Sequence, residues 1–237
     1  MVTAVLLVQK ATPETITQLH DQLSNELPTL KGKWSFTFKI FRNNPFSIPQ
    51  EIAETTDVAP TSKFLFTLQP SYLPDSTITV IDGKSAGVFT NLIQEEVKEL
   101  GHPTELSIPN THLHKGATSG LNDNFDFFVG QKLQSLWNQR QIIKGDGGQI
   151  YELENGNLFI KTSNVFLHGN FRGLLIQIDL NDNLLGDKDS QSLHDLFITI
   201  RNKYGIPEGN LCCDVLDKKC LDKYGDLCYQ YSEILNF

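Results

Sequence analysis

Trp34, Phe36, Phe38 and Ile40 stand at every second position, with Ser35, Thr37 and Lys39 between them, and no other feature constrains this chain as strongly. Side chains alternate across a β-strand, so this spacing turns four large apolar groups onto one face and obliges a second layer to cover them. Further strand-like runs follow. Val5 to Val8 reads as a buried strand. Phe64 to Leu68, Thr77 to Ile81 and a run around Val88 and Phe89 are β-branched or aromatic and broken by Pro70, Pro74 and Asp82-Gly83, which predicts an antiparallel meander. Ile150 to Leu153, Asn155-Gly156 and Leu158 to Leu167 predict a hairpin with a type I′ turn, and Phe171 to Leu180 supplies one more strand.

Helical spacing appears between these runs. Thr12-Pro13-Glu14 offers an N-cap, a proline at the first helical position and an acid near the positive dipole end. The helix then predicted, to about Leu27, buries Ile16, Leu19, Leu23 and Leu27 and stops at Pro28. Leu92 to Leu100 reads as a short helix. Phe125, Val129, Leu133, Leu136, Trp137 and Arg140 keep helical spacing and predict the strongest helix, capped by Gly145. Leu193 to Tyr204 and Tyr224 to Leu235 complete the set. The stretches 42–62 and 101–124 are turn-rich and read as long loops. With about eight strands in neighbouring antiparallel runs and no sustained β-α-β alternation, the expected class is α+β. Closure of such a sheet removes its exposed edges, giving a mainly antiparallel β-barrel flanked by several α-helices, as one domain over residues 1–237.

Composition narrows the functions. A chain of 237 residues with 39% hydrophobic content can bury a core without disulfide or metal staples. Its net charge of −8 disfavours phosphate backbones and anionic membranes, and no run of Lys or Arg offsets this locally. Neither direct nucleic-acid binding nor membrane binding is expected. The apolar opening Val2 to Val8 lacks the basic flank and cleavage site of a signal peptide, no stretch is long enough to span a bilayer, and Asn-x-Ser/Thr is absent from the sequence. Cys212, Cys213, Cys220 and Cys228 crowd the C-terminal end, which fits reduced thiols better than a disulfide framework.

Motifs with chemical overtones fall short when their geometry is spelled out. Asp82-Gly83-Lys84-Ser85 resembles the end of a phosphate loop, but Ile78 stands where the first glycine is required. Gly116-Ala117-Thr118-Ser119-Gly120 puts its serine out of register for a nucleophile elbow. His102, His112 and His114 lack cysteine or HExxH companions for zinc, and the four cysteines contain no Cys-x-x-Cys pair. Asp179, Asn181 and Asn183 begin like a calcium loop, yet Leu184 and Ser190 occupy the glycine and bidentate-glutamate positions. Glu152 and Glu154 could hold a cation inside a barrel, but no second pair joins them, so a wet hairpin face explains them better. Lys144-Gly145-Asp146-Gly147-Gly148 reads as a chain reversal, with Asp146 bonding the turn backbone. No metal or cofactor is expected.

The run from Leu136 to Gly148, Leu-Trp-Asn-Gln-Arg-Gln-Ile-Ile-Lys-Gly-Asp-Gly-Gly, resembles the signature stretch of Mediator subunit 20 in its fungal form. Three flanks resemble the same family in the same order: Val8-Gln9-Lys10-Ala11-Thr12-Pro13, Phe171-Arg172-Gly173-Leu174-Leu175-Ile176 and Cys228-Tyr229-Gln230-Tyr231-Ser232-Glu233-Ile234-Leu235. The resemblance implies a non-catalytic nuclear subunit of the Mediator head module. On that resemblance the chain is expected to pair with subunit 18, to engage the C-terminal helix of subunit 8, and to support initiation by RNA polymerase II. It also implies a barrel like that of metal-dependent RNA triphosphatases, so the alternatives are a tunnel-type phosphohydrolase or a small-ligand barrel. An enzyme of that kind would need several inward charged side chains, where these strands offer mainly Trp34, Phe36, Phe38, Phe64, Phe66, Leu174 and Ile176. The candidate partner contacts are Trp137, Arg140, Lys144 and Asp146, because Trp and Arg often anchor interfaces.

Overall fold

In the computed structural model, residues 1–47, 62–90, 124–181, 190–218 and 221–237 are described. Their elements run β1 (Val2–Val8), α1 (Pro13–Asn25), β2 (Thr29–Asn43), β3 (Phe64–Pro70), β4 (Ser76–Ile81), β5 (Lys84–Thr90), α2 (Phe125–Lys132), β6 (Trp137–Leu153), β7 (Leu158–Leu167), β8 (Asn170–Leu180), α3 (Ser190–Lys203), β9 (Asn210–Cys212) and α4 (Lys223–Ile234). The class is α+β with a mainly antiparallel, barrel-like sheet of nine strands. The ninth, β9, is too short to show a period and exists because it pairs with β1, Leu7 opposite Asn210. The helix expected over Leu92 to Leu100, the loop histidines and Cys220 lie outside the described residues.

The chain divides into two compact units, Met1–Phe36 with Ile143–Phe237, and Thr37–Ile142, so that β2 and β6 each contribute to both. In the first unit the strands neighbour one another in the order β2-β6-β7-β8-β1-β9. The ladder β7-β8-β1 places Leu158, Leu180 and Val2 in one row and Ile160, Ile178 and Ala4 in the next. Those rows form one apolar face, which α1 covers with Leu19 and Leu23, and α3 with Leu193, Phe197 and Ile200. Alternation turns Thr3, Leu175, Gln177 and Asp179 to the opposite face, and α4 packs there, its Tyr231 ring meeting Phe36 edge-on at 5.1 Å. Being covered on both sides, β1 is buried throughout.

Helix α1 starts as read: Thr12 accepts the Thr15 N–H at 3.2 Å and Pro13 opens the first turn. Its end differs. The helix closes at Asn25, and Leu27, in a left-handed conformation (φ 51°), is 91% exposed instead of buried. The 150s hairpin is present, with Leu153 paired to Leu158. Its turn spans four residues instead of two, with positive φ at Glu154, Asn155 and Gly156, and the Asn157 side chain donates to the Glu154 carbonyl at 3.0 Å.

The second unit carries the meander β5-β4-β3 with the later part of β2 and the start of β6. Helix α2 packs Val129 against Phe41 and Leu65, with Phe125, Leu133, Ile81 and Trp137 around them. Asp126 fastens it: its carboxylate meets Lys39 Nζ at 2.5 Å and accepts from Gln69 Nε2 at 2.9 Å. Asp82-Gly83 forms the β4-β5 turn with both residues at positive φ, as expected of a hairpin and not of a phosphate loop.

The expected long helix from Phe125 to Gly145 is corrected. Only Phe125–Lys132 is helical, and Trp137–Leu153 is a strand. Phe125, Val129, Leu133 and Trp137 do share one core, as their spacing implies, but Trp137 reaches it from β6. The turn is enforced by Asn44, whose backbone N–H takes the Leu136 carbonyl at 2.7 Å and whose side chain takes the Ser135 carbonyl at 3.0 Å. Those carbonyls are withdrawn from any continuing helix. Gly145 is accordingly no helix cap.

In the first unit, Asp226 holds the approach to α4, accepting the Leu216 N–H at 2.8 Å and the Asp222 N–H at 3.1 Å. Burial pushes its carboxyl up to about 6, the two N–H bonds pull it down, and Asp222 and Asp217 add to the rise. A carboxyl raised on folding favours the native state most fully below its unfolded value near 4, and that contribution fades as pH rises through about 6. Asp226→Asn should therefore gain stability relative to the unsubstituted chain between pH about 4 and 6, read as the difference in Tm across a pH series; a constant difference would refute the assignment.

Candidate interaction surface

β6 positions the candidate contacts. Trp137, in the second unit, is half-buried in the Phe41, Leu65 and Val129 cluster, so its first role is packing. Arg140, also in that unit, is exposed. In the first unit Lys144 and Asp146 are both exposed, two residues apart on one face of the strand, Lys144 opposite Phe166 and Asp146 opposite Asn164 of β7. Asp146 Oδ1 accepts the Gly147 N–H at 2.7 Å, the turn bond expected of it, although the setting is an irregularity within the β6-β7 ladder and not a chain reversal. Neither Lys144 nor Asp146 has an ion-pair partner among the described residues.

The same face of the first unit opens into a groove of about 450 Å³ lined by Ala11, Pro13, Ile16, Thr17, Asn164, Phe166 and Phe171. Phe166 and Phe171 meet at a tilted edge contact, centroids 5.9 Å apart, and Phe171 stays 42% exposed. Asn164 Oδ1 is buried with no hydrogen-bond partner in the structure. All of these residues except Ala11 are readable as strand or helix from the sequence. Their convergence is not, because it depends on α1 crossing the end of the β7-β8 hairpin.

Across the sheet, polar groups fill the space beneath α4. Lys161 Nζ lies 2.8 Å from Asp179 Oδ2, and Gln177 Nε2 donates to Asp179 Oδ1 at 2.8 Å. Tyr231 donates to Gln177 Oε1 at 3.3 Å, while Gln230 takes a bond from the Thr3 hydroxyl and donates to the Thr3 carbonyl. Asp179 is thus a buried ion-pair partner inside β8 and not the first ligand of a calcium loop. Glu152 pairs with Lys31 at 2.5 Å, and Glu154 with Lys203 at 2.6 Å and Tyr204 at 2.8 Å, so the two glutamates serve separate surface contacts. Among the described residues no three His, Cys, Asp or Glu side chains gather as metal ligands, and Cys212, Cys213 and Cys228 form no disulfide.

Residues 1–236 match the family model described as Med20, TATA-binding related factor (TRF) of subunit 20 of Mediator complex. The chain belongs to the Mediator subunit 20 family. It is 74% identical to Mediator of RNA polymerase II transcription subunit 20 of Scheffersomyces stipitis, over the full length of both chains. Identity to the same subunit of Debaryomyces hansenii is 65%, again over both full lengths. The subunit of Saccharomyces cerevisiae is 28% identical, over 98% of this chain and 97% of its own. A Mediator subunit 20 acts in RNA polymerase II transcription as part of a larger assembly, which makes surfaces that meet other proteins the functional feature to seek.

Proposed function

We propose that this chain is a non-catalytic structural subunit of the Mediator head module, working in the nucleus as one domain over residues 1–237. It pairs directly with Mediator subunit 18, engages the C-terminal helix of subunit 8, and couples regulators to RNA polymerase II at initiation. The observation that carries this reading is the match of a single family model to residues 1–236. The structure lends it chemical support. A tunnel-type phosphohydrolase would need several carboxylates facing one cavity, whereas the carboxylate buried beneath α4, Asp179, is neutralised by Lys161. Exposed charge on β6 suits an interface: Arg140, Lys144 and Asp146 are the proposed contacts, with Trp137 holding that stretch of strand in place and offering the outer part of its ring.

Co-expression with subunit 18, followed by size-exclusion chromatography with light scattering at moderate salt, tests this. The expected result is a one-to-one complex that survives dilution. Two folded monomers that elute separately would overturn the pairing.

A further inference from the structure

The groove beside Lys144 has a definable occupant. Its walls, Ala11, Pro13, Ile16, Phe166 and Phe171, are apolar, so the guest must bring an apolar body. Asn164 carries a buried Oδ1 acceptor without a partner, and leaving such a group unsatisfied is unfavourable. Asn164 lines the groove, so its amide is the polar group that a guest with an N–H or O–H would meet there. Residues directly opposite in an antiparallel ladder share a face, so Lys144, opposite Phe166, and Asp146, opposite Asn164, rim the groove. Both charges are unpaired among the described residues, leaving Lys144 ready for a carboxylate. An aromatic group with a donor at its edge meets the first two demands, as Tyr and Trp side chains do.

We propose that this groove is the receptor for a single tryptophan or tyrosine anchor presented by the paired Mediator subunit, with a carboxylate flanking the anchor to meet Lys144. The inference rests on the reading that the chain works by pairing with subunit 18, and it names the pocket and the chemistry of that contact. Apolar walls and the Asn164 acceptor set what enters; the charge on Lys144 sets its orientation.

Indole and indole-3-acetate isolate these demands, and both can be titrated into the isotopically labelled full chain by NMR. Saturable shifts are expected at Ile16, Asn164, Phe166 and Phe171 with either probe at millimolar concentration. Phe171→Ala, at a partly exposed site, should weaken both probes about tenfold. Lys144→Glu should weaken indole-3-acetate and leave indole unchanged. Absence of saturable shifts in the groove, or shifts indifferent to Phe171→Ala, would overturn the assignment. In the pairing assay, Phe171→Ala should lower affinity for subunit 18 about tenfold or more. If the unsubstituted chain pairs and Phe171→Ala pairs equally well, the groove is not the receptor while the pairing stands. If the unsubstituted chain does not pair, the functional reading fails and the groove's role in it falls too, whereas the probe titration still reports whether the pocket binds an aromatic donor.

Discussion

Lys161→Met is expected to destabilise the protein by about 3–5 kcal/mol, because it strands the Asp179 carboxylate in the interior of the first unit without its cation. The carboxylate has no route to water: Asp179 is 1% exposed and Lys161 7% exposed. Burial alone would push the Asp179 carboxyl up, but the Lys161 and Lys223 charges and the bonds from Lys161 and Gln177 outweigh it and hold it below the ordinary range. A carboxyl depressed on folding adds stability above its unfolded value near 4, and that stability is lost as pH falls through the folded value. Removing Lys161 takes away the largest charge contribution and one of the two bonds, leaving burial opposed by the Lys223 charge and the Gln177 bond; the expected sign therefore reverses, and the variant should gain stability as pH falls from 7 towards about 4. Lys161→Met combined with Asp179→Asn removes both charges, keeps an acceptor for Gln177, and should recover most of the loss. Urea unfolding at pH 7 and pH 5 decides the matter. A loss below about 1 kcal/mol at pH 7, or no recovery in the double variant, would mean that the pair does not behave as a buried charge.

That ion pair also marks where the sequence stops being readable. Lys161 looks like a solvated residue in β7, and Asp179 the start of a loop, until the β7-β8 register brings them together under α4. The α1 cap was legible because it depends on neighbours, Thr12 and Thr15; the aromatic face of β2 was legible because period two needs no knowledge of the partner strand. Leu27 was misplaced because helical spacing continues past the residue where Leu27 turns left-handed. The longer misreading, Trp137 to Gly145 as helix, arose because a strand residue can complete a helical stripe when both face the same core. The strand wins because Asn44, the residue just past the end of β2, captures the carbonyls a helix would need. The groove follows the same logic: Phe171 announces a strand, and only α1 makes it a wall.

Gly145→Val should be the second large effect, about 3 kcal/mol. The cause is space and not backbone conformation. A Cβ at Gly145 would stand 2.0 Å from Phe36 Cε1 and 2.7 Å from Ser163 Oγ. Phe36 cannot yield, since Trp34 stacks on it at 5.6 Å and Tyr231 meets it edge-on at 5.1 Å. Trp34 is itself fixed by donating Nε1 to the Thr162 carbonyl at 2.8 Å, directly over Gly148, where a Cβ would come within 2.7 Å of backbone oxygens. The glycines at 145 and 148 are therefore the seat in β6 for two of the aromatic groups that β2 turns inward. If so, Phe36→Ala should relieve Gly145→Val, and the double variant should be less destabilised than the sum of the two single losses, by about 1 kcal/mol or more in urea unfolding. Strict additivity would mean that the two side chains do not compete for the same volume. Relief would identify the glycine-rich end of the signature run as a packing device, leaving Lys144 and Asp146, its exposed members, as the residues free to meet a partner.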